Sequence, residues 1–318
     1  MNFNETGRTV ISLVISSVLM RKEERVNIVD EWSTIDYRRF LNVTAVFLLF
    51  LTGFMEMRYN IQLREVADDA YIIYCSVYTG LFALALYIVS RPLKLNYLFN
   101  PLAIIGSLLM IAYGVFPHIA TIDARNYSLM YGDGNTAFRF HYIYAVVIIA
   151  FSFLIYHFLN KEEKYSKGVK DIFLWLMCFT LVFIASAEVD HSYIMSQFSG
   201  RDLLNPENGM GEIKQLASQS HKIGFPILWG ISSFIMIVIG MRKNIRQLRI
   251  IALVLFAVTI IKLILLGIYG ESQTGKIIAF IISGVILLLV SFLYQKLKKL
   301  VLEQDRPTEK NDSDEKTG

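Results

Sequence analysis

Charged residues are scarce in this chain of 318 residues: Asp, Glu, Lys and Arg make up 18% of the sequence, whereas hydrophobic residues make up 54%. Soluble globular proteins contain roughly 25% charged residues. A water-soluble fold of this composition would have too little polar surface. The composition therefore indicates an integral membrane protein.

Cysteine and recognisable catalytic motifs are also nearly absent. The two cysteines, Cys75 and Cys178, both lie within apolar runs and form no Cys-x-x-Cys motif, so neither a zinc cage nor a thiol redox site is indicated. The sequence contains no phosphate-binding loop, nucleophile elbow or nucleotide-binding motif. It therefore indicates no enzyme class and no cofactor.

Long apolar runs are what the chain has instead, and about 20 such residues cross a bilayer as a helix. Since the alternating pattern of a membrane β-barrel is absent, the fold class is all-α: a polytopic transmembrane helical bundle. The eight predicted spans are Phe40–Met57, Tyr71–Ser90, Phe99–Pro117, Arg139–Leu159, Val169–Val189, Ile223–Met241, Ile250–Ile268 and Lys276–Tyr294.

The two ends of the chain differ from the central helical domain, predicted over 40–296. Residues 1–39 combine a short apolar segment, Thr9–Met20, with a charged juxtamembrane linker. Thr9–Met20 is short for a span, so we interpret it as interfacial, with a ninth span as the alternative. Residues 297–318 form a polar tail that we expect to be disordered on the cytoplasmic side.

Lys and Arg concentrate in alternate connections, as cytoplasmic segments do. The basic connections lie before the first span, around Arg91, around Lys164, around Arg246 and in the tail. This pattern predicts a cell (inner or cytoplasmic) membrane protein whose C-terminus is cytoplasmic. It also accounts for the net charge of +4 without a nucleic-acid partner. The long connections Ile119–Phe138 and Asp190–Lys222 are then predicted to face outward.

Ionisable residues at the outer ends of the predicted spans form the first candidate site. Imidazoles and carboxylates at one level could bind a metal, ligate haem or relay protons. Glu188 and His191 would share a helix face if the fifth span continued past Val189. The alternative is that the histidines are ordinary interfacial residues. The candidate residues are His118, His141, Glu188, Asp190, His191 and His221.

Lys262 is the second candidate, because it is a basic residue well inside a predicted span. An ionisable group at that depth is costly and is taken as functional by default. Glu271 and Glu188 are its predicted acidic partners. The alternative is that the long side chain extends outward to the membrane surface.

Small residues at helical spacing predict close helix packing rather than chemistry. One stripe is Gly230, Ser233 and Gly240; the other is Gly275, Ala279 and Ser283. We interpret Trp229 and the tyrosines as interface belts and packing residues. The sequence shows no internal repeat and no matching pair of interrupted half-helices of the kind found in secondary transporters.

The C-terminal third contains a set of residues in a recognisable order: Leu228, Trp229, Gly230, Gly240, Met241, Arg242, Leu248, Arg249, Thr259, Lys262, Ser283, Gly284, Leu287, Leu288, Ser291, Phe292, Tyr294, Gln295 and Lys296. This set resembles a family of bacterial multi-pass "predicted membrane proteins" of unknown function, whose members are usually longer. The resemblance implies a membrane location and a helical fold, and no mechanism. In that family an acid typically follows the intramembrane lysine by five residues, where this chain has Gly267.

Three functional hypotheses follow. The first is an envelope-assembly or transport-system component that contacts the lipid bilayer and binds other membrane proteins or itself. The second is a membrane-embedded enzyme or a metal or haem protein with a site at the outer face. The third is a solute or proton transporter that uses Lys262.

Overall fold

The structure, a computed structural model, describes residues 31–63, 68–92, 95–132, 135–198, 204 and 206–269, together with positions 277, 281, 284, 285 and 288. Across these ranges the regular elements are helices. They are α1 (Glu31–Leu63), α2 (Asp68–Ser90), a 3₁₀ turn (Asn96–Leu98), α3 (Phe99–Tyr113), α4 (Phe116–Tyr131), α5 (Asn135–Lys161), α6 (Lys167–Phe198), α7 (Pro206–Gln219), a π-turn (Ser220–Gly224), α8 (Phe225–Arg242) and α9 (Arg246–Tyr269).

Six helical stretches in the described ranges are long and apolar enough to cross a membrane, and a bent pair would make a seventh span. The six are Arg39–Gln62, Ala70–Ser90, Thr136–Lys161, Lys167–Phe198, Asn208–Arg242 and Arg246–Leu265. Each contains most of one predicted span, so the all-α membrane class is confirmed. The predicted count of eight or nine is not confirmed by the described residues. Most of Lys276–Tyr294, all of Thr9–Met20 and the polar tail lie outside the described residues.

Large apolar side chains cover the outside of these helices. Phe40, Phe47, Ile172, Phe179 and Ile261 are all exposed, each by more than half of its surface. An apolar surface of this extent would drive aggregation in water, whereas hydrocarbon solvates it. The distribution of burial therefore agrees with a bilayer around the helices.

The third predicted span, Phe99–Pro117, is broken in the structure. Helix α3 ends at Tyr113, and α4 continues from Phe116 after a bend of 41°. Pro117 explains the break, because proline lacks an N–H and its ring clashes with the carbonyl of residue i−4, here Tyr113. The predicted outer connection Ile119–Phe138 is mostly helical over its described residues, and α4 ends at Gly132, which has a φ of 76°.

The second predicted outer connection, Asp190–Lys222, is mostly helical too. Helix α6 continues to Phe198, and α7 begins at Pro206. Proline is well suited to the first position of a helix because no helical bond needs its N–H. The charged linker before the first span is likewise helical from Glu31 onward. These polar connections are therefore helical over most of their described residues.

By its internal contacts the chain divides into two units. Unit 1 contains residues up to Ala187 and Ile194–Ile213, and unit 2 contains Glu188–Tyr193 and the chain from Lys214 onward. In unit 1, α2 packs against α4 and α5. Gly106 of α3 allows α5 to approach, since a Cβ there would lie 2.4 Å from Ile155 Cδ1.

In unit 2, α8 and α9 form an antiparallel hairpin. Ile237 and Ala252 form its buried core, and Ser233 is fully buried beside them on α8. Gly240 is required at the turn, because a Cβ would lie 2.8 Å from Arg249 Cγ. Of the two predicted small-residue stripes, Gly230, Ser233 and Gly240 are described; Gly275, Ala279 and Ser283 lie outside the described residues.

Candidate functional site

The segment Glu188–Tyr193 of α6 carries three of the predicted outer-face residues. Because α6 continues to Phe198, the condition for Glu188 and His191 to share a helix face is met. Asp190 and His191 are 6% and 1% exposed, respectively. Such burial of a carboxylate and an imidazole is uncommon unless other groups compensate the lost hydration.

The π-turn Ser220–Gly224 lies against this segment. The N–H of Phe225 donates to the carbonyl oxygen of Ser220, five residues earlier, which widens the helix by one residue. Pro226 accounts for the irregularity, since its ring would clash with the carbonyl of Lys222 in a regular α-helix. Single π-turns inside α-helices occur frequently at functional sites.

Three contacts join the π-turn region to α6 within unit 2. His221 Nε2 lies 3.5 Å from Asp190 Oδ1. The Tyr193 hydroxyl donates to Gln219 Oε1 at 2.9 Å. Gly224 sits so close to Val189 that an added Cβ would lie 2.9 Å from Val189 Cγ1. The side chain of Asp190 is 8% exposed and that of His221 is 52% exposed, so the pair connects a buried carboxylate to the surface.

Lys262 of α9 reaches the start of α8. Its ammonium nitrogen lies 4.7 Å from the ring centroid of Phe225 and 4.4 Å from that of Trp229. The His221 ring contacts the Phe225 ring at a tilted angle, with centroids 4.5 Å apart. Asp190, His221, Phe225, Trp229 and Lys262 therefore form one contiguous group, which we call the π-turn cluster.

Aromatic faces, rather than a carboxylate, are the contacts of the Lys262 ammonium among the described residues. Glu188, one predicted acidic partner, lies within unit 2. Glu271 lies outside the described residues. The sequence interpretation assigned Trp229 to an interface belt and did not select Phe225. Their spacing of four residues, opposite an intramembrane lysine, was the available signal.

His118 and His141 belong to unit 1. The His118 ring meets Phe183 edge-on, with centroids 4.9 Å apart. His141 is 2% exposed, and its Nδ1 contacts the carbonyl oxygen of Phe138 on its own helix. In the described part of the chain, no group of three or more His, Cys, Asp or Glu residues is placed to hold a metal ion. A metal or haem site thus remains a prediction from sequence alone.

Arg125 is a buried charge that the sequence interpretation left in an outer connection. It lies on α4 and is 2% exposed. Its Nε and Nη2 donate to the side-chain oxygen of the neighbouring Asn126 at 3.2 and 3.0 Å. No spacing in the sequence distinguished Arg125 from the exposed arginines, because its burial depends on α4 packing against α2 and α5.

Several apolar helices, a lipid-compatible exterior and charged groups near helix ends together define a multi-pass helical membrane protein. The chain belongs to the family described as "Predicted membrane protein (DUF2339)", which matches residues 7–297. The match covers nearly the whole chain and extends well upstream of the C-terminal third that carries the resemblance. No curated protein and no solved structure matches the chain.

Proposed function

We propose that the protein is a component of a cell-membrane transport system and that Lys262 is the charged residue that handles the transported ion or solute. The contact of Lys262 with Phe225 and Trp229 carries this proposal. An ammonium held by aromatic faces has no fixed negative charge to displace before it can bind an anion or release a proton.

The free energies of membrane insertion and of cation–π contacts favour a functional reason for Lys262. A lysine at the centre of a membrane helix costs about 2.5–3.5 kcal/mol on insertion scales. Cation–π contacts stabilise the lysine by only about 0.5–2 kcal/mol. Stability alone would therefore favour an apolar residue at position 262.

The Asp190–His221 pair provides a route between Lys262 and the surface. His221 is half-exposed and contacts the Phe225 ring, which also contacts Lys262. Since a phenyl ring carries no proton, a proton relay between His221 and Lys262 requires water between them, whereas charged groups on one aromatic ring are suited to guide a small ion. We further propose that this end of the helices faces outward and that the C-terminus is cytoplasmic, because Lys and Arg concentrate in the alternate connections.

Flux measurements in proteoliposomes test the proposal. We expect the wild type to dissipate an imposed proton gradient or to carry a small inorganic ion. Lys262→Met, which keeps the length of the side chain without its charge, should abolish the flux. Lys222→Met is the matched control, since Lys222 is exposed on the π-turn beside His221.

Either of two results would contradict the proposal: flux retained in Lys262→Met, or no flux of protons or small ions in the wild type. The second result would favour the assembly hypothesis. Affinity purification under mild detergent conditions would then be expected to yield a defined complex with other membrane proteins.

A further inference from the structure

The end of unit 1 opposite the α3–α4 break carries two cations held by uncharged groups. Arg91, just after α2, donates from Nη2 to the Tyr87 hydroxyl at 2.9 Å and lies over the Tyr87 ring at 5.0 Å. Lys164, between α5 and α6, donates to Asn100 Oδ1 at 3.2 Å and lies 5.1 Å from the centroid of the Tyr165 ring. Neither forms an ion pair with a carboxylate of a described residue.

A chain of aromatic contacts, in which Tyr87 and Phe158 are buried, connects the two cations. The Tyr87 ring contacts Phe99 at 5.5 Å between centroids, Phe99 contacts Phe158 at 5.3 Å, and Phe158 contacts Tyr165 at 5.8 Å. These rings bring together the C-terminal ends of α2 and α5 and the N-terminal end of α3. We call Arg91, Asn100, Lys164 and the four rings the basic-end surface.

The hydrogen bonds of the basic-end surface occupy its acceptors and leave donors. Asn100 Oδ1 accepts from both Lys164 and the Tyr165 hydroxyl. The Tyr87 oxygen accepts from Arg91, and its proton is donated to the Leu154 carbonyl oxygen at 3.1 Å. The remaining N–H groups of Arg91, Lys164 and the Asn100 amide are donors only. This donor set is complementary to an anion with several oxygens, such as a phosphate.

An apolar stripe starts at the same place. Asn100 is exposed on the first turn of α3, and Ile104, Leu108 and Ile111 follow on the same helix face, exposed by 63%, 59% and 56%. A phosphate bound at Asn100 would therefore have hydrocarbon-compatible surface directly beneath it. Basic groups between helices at a membrane surface bind phospholipid headgroups in this way.

We propose that the basic-end surface is a binding site for an anionic phospholipid, with its phosphate held by Arg91, Lys164 and the Asn100 amide. One acyl chain lies along Ile104, Leu108 and Ile111 of α3. This site is independent of the π-turn cluster, because it lies wholly within unit 1. Its ligand is selected by charge, since a zwitterionic headgroup carries a cation that would meet Arg91 and Lys164.

Native mass spectrometry of the full chain in detergent tests the site by titration with phosphatidylglycerol, phosphatidylcholine or inorganic phosphate. We expect phosphatidylglycerol to bind more tightly than phosphatidylcholine. The double variant Arg91→Gln, Lys164→Gln should weaken phosphatidylglycerol binding about fivefold for each residue replaced, the contribution of a basic group near an anionic membrane surface. The same variant should leave phosphatidylcholine binding unchanged.

Two further variants sharpen the test. Asn100→Asp keeps the acceptor for Lys164 but replaces the amide donor with a negative charge, so it should also weaken phosphatidylglycerol binding. Lys167→Gln removes an exposed lysine at the same end of the bundle that makes none of these contacts, and it should bind as the wild type does.

Three results would overturn the proposal. Equal binding of the two lipids would remove the charge selectivity. Unchanged phosphatidylglycerol binding in the double variant would remove the assigned residues. Competition by inorganic phosphate as strong as that by phosphatidylglycerol would identify a free-phosphate site, because the α3 stripe would then contribute nothing.

Discussion

The ammonium nitrogen of Lys262 lies 4.4 Å from the centroid of the Trp229 ring, although the two positions are 33 apart in the sequence. The α8–α9 hairpin brings them together near the beginning of α8. The contact gives Lys262 an electrostatic partner without a countercharge. The expected behaviour of this lysine therefore differs from that of a salt-bridged one.

Removing the Lys262 charge should stabilise the protein. We expect Lys262→Met to raise the free energy of unfolding in detergent by about 1–2 kcal/mol, because a lysine in a span costs more than cation–π contacts return. Lys222→Met at the exposed π-turn position should change it by less than about 0.5 kcal/mol. A marked destabilisation by Lys262→Met would identify a structural lysine and would weaken the transport proposal.

The contact between Asp190 and His221 should appear as an energetic coupling. In a double-mutant cycle of Asp190→Asn and His221→Gln, the double variant should be less destabilised than the sum of the single variants by roughly 0.5–3 kcal/mol. His157→Gln, an exposed histidine on α5, provides the control with Asp190→Asn and should show additive effects. Additive effects for Asp190 and His221 would mean that their interaction does not contribute to the free energy of unfolding.

Gly224 should tolerate substitution poorly because of its approach to Val189. The Cβ of Gly224→Ala would lie 2.9 Å from Val189 Cγ1, and overpacking of this kind costs about 1–3 kcal/mol. Val189→Ala should restore part of the lost stability. Gly211→Ala on α7 is the control: nothing lies within 4 Å of its Cβ, so better helix propensity should stabilise it by up to about 1 kcal/mol. Thermal unfolding monitored by circular dichroism would measure all three.

Labelling of single cysteines in cells should report the orientation. In a background of Cys75→Ala and Cys178→Ala, Glu163→Cys lies in the turn between α5 and α6 and should react with an impermeant maleimide only after permeabilisation. Asn208→Cys is exposed near the start of α7 and should react in intact cells. The opposite pattern would reverse the proposed orientation.

The spans could be predicted from the sequence because the thickness of the bilayer sets the length of an apolar run, whatever the tertiary packing. The break in the third span had a local signal in Pro117, which removes a helical hydrogen bond. The helicity of this polar connection had a weaker one, namely the lack of glycine and proline in Ile119–Tyr131. Hydropathy alone does not distinguish a helix from a loop there, since polar helices and polar loops have the same average hydropathy.

The candidate site was predicted only in part for a different reason. Lys262 could be selected because a charged residue inside an apolar run is visible in the amino-acid sequence itself. Its partners could not, because the contact with Trp229 depends on the turn between α8 and α9, where Asn244 has a φ of 51°, and on the rotation of α8 about its axis. Asp190 and His221 were both selected, but their pairing depends on the π-turn, which changes that rotation.

The π-turn changes the direction in which the side chains before it point relative to those after it. One extra residue in an otherwise α-helical run offsets the side chains on its two sides by about 100°, the rotation of a single residue. Shortening Ser220–Gly224 by one residue would leave the surrounding sequence intact, yet it would turn α7 relative to α8 by that angle. The pairing of His221 with Asp190 is thus set by the length of this segment as much as by the identity of its residues.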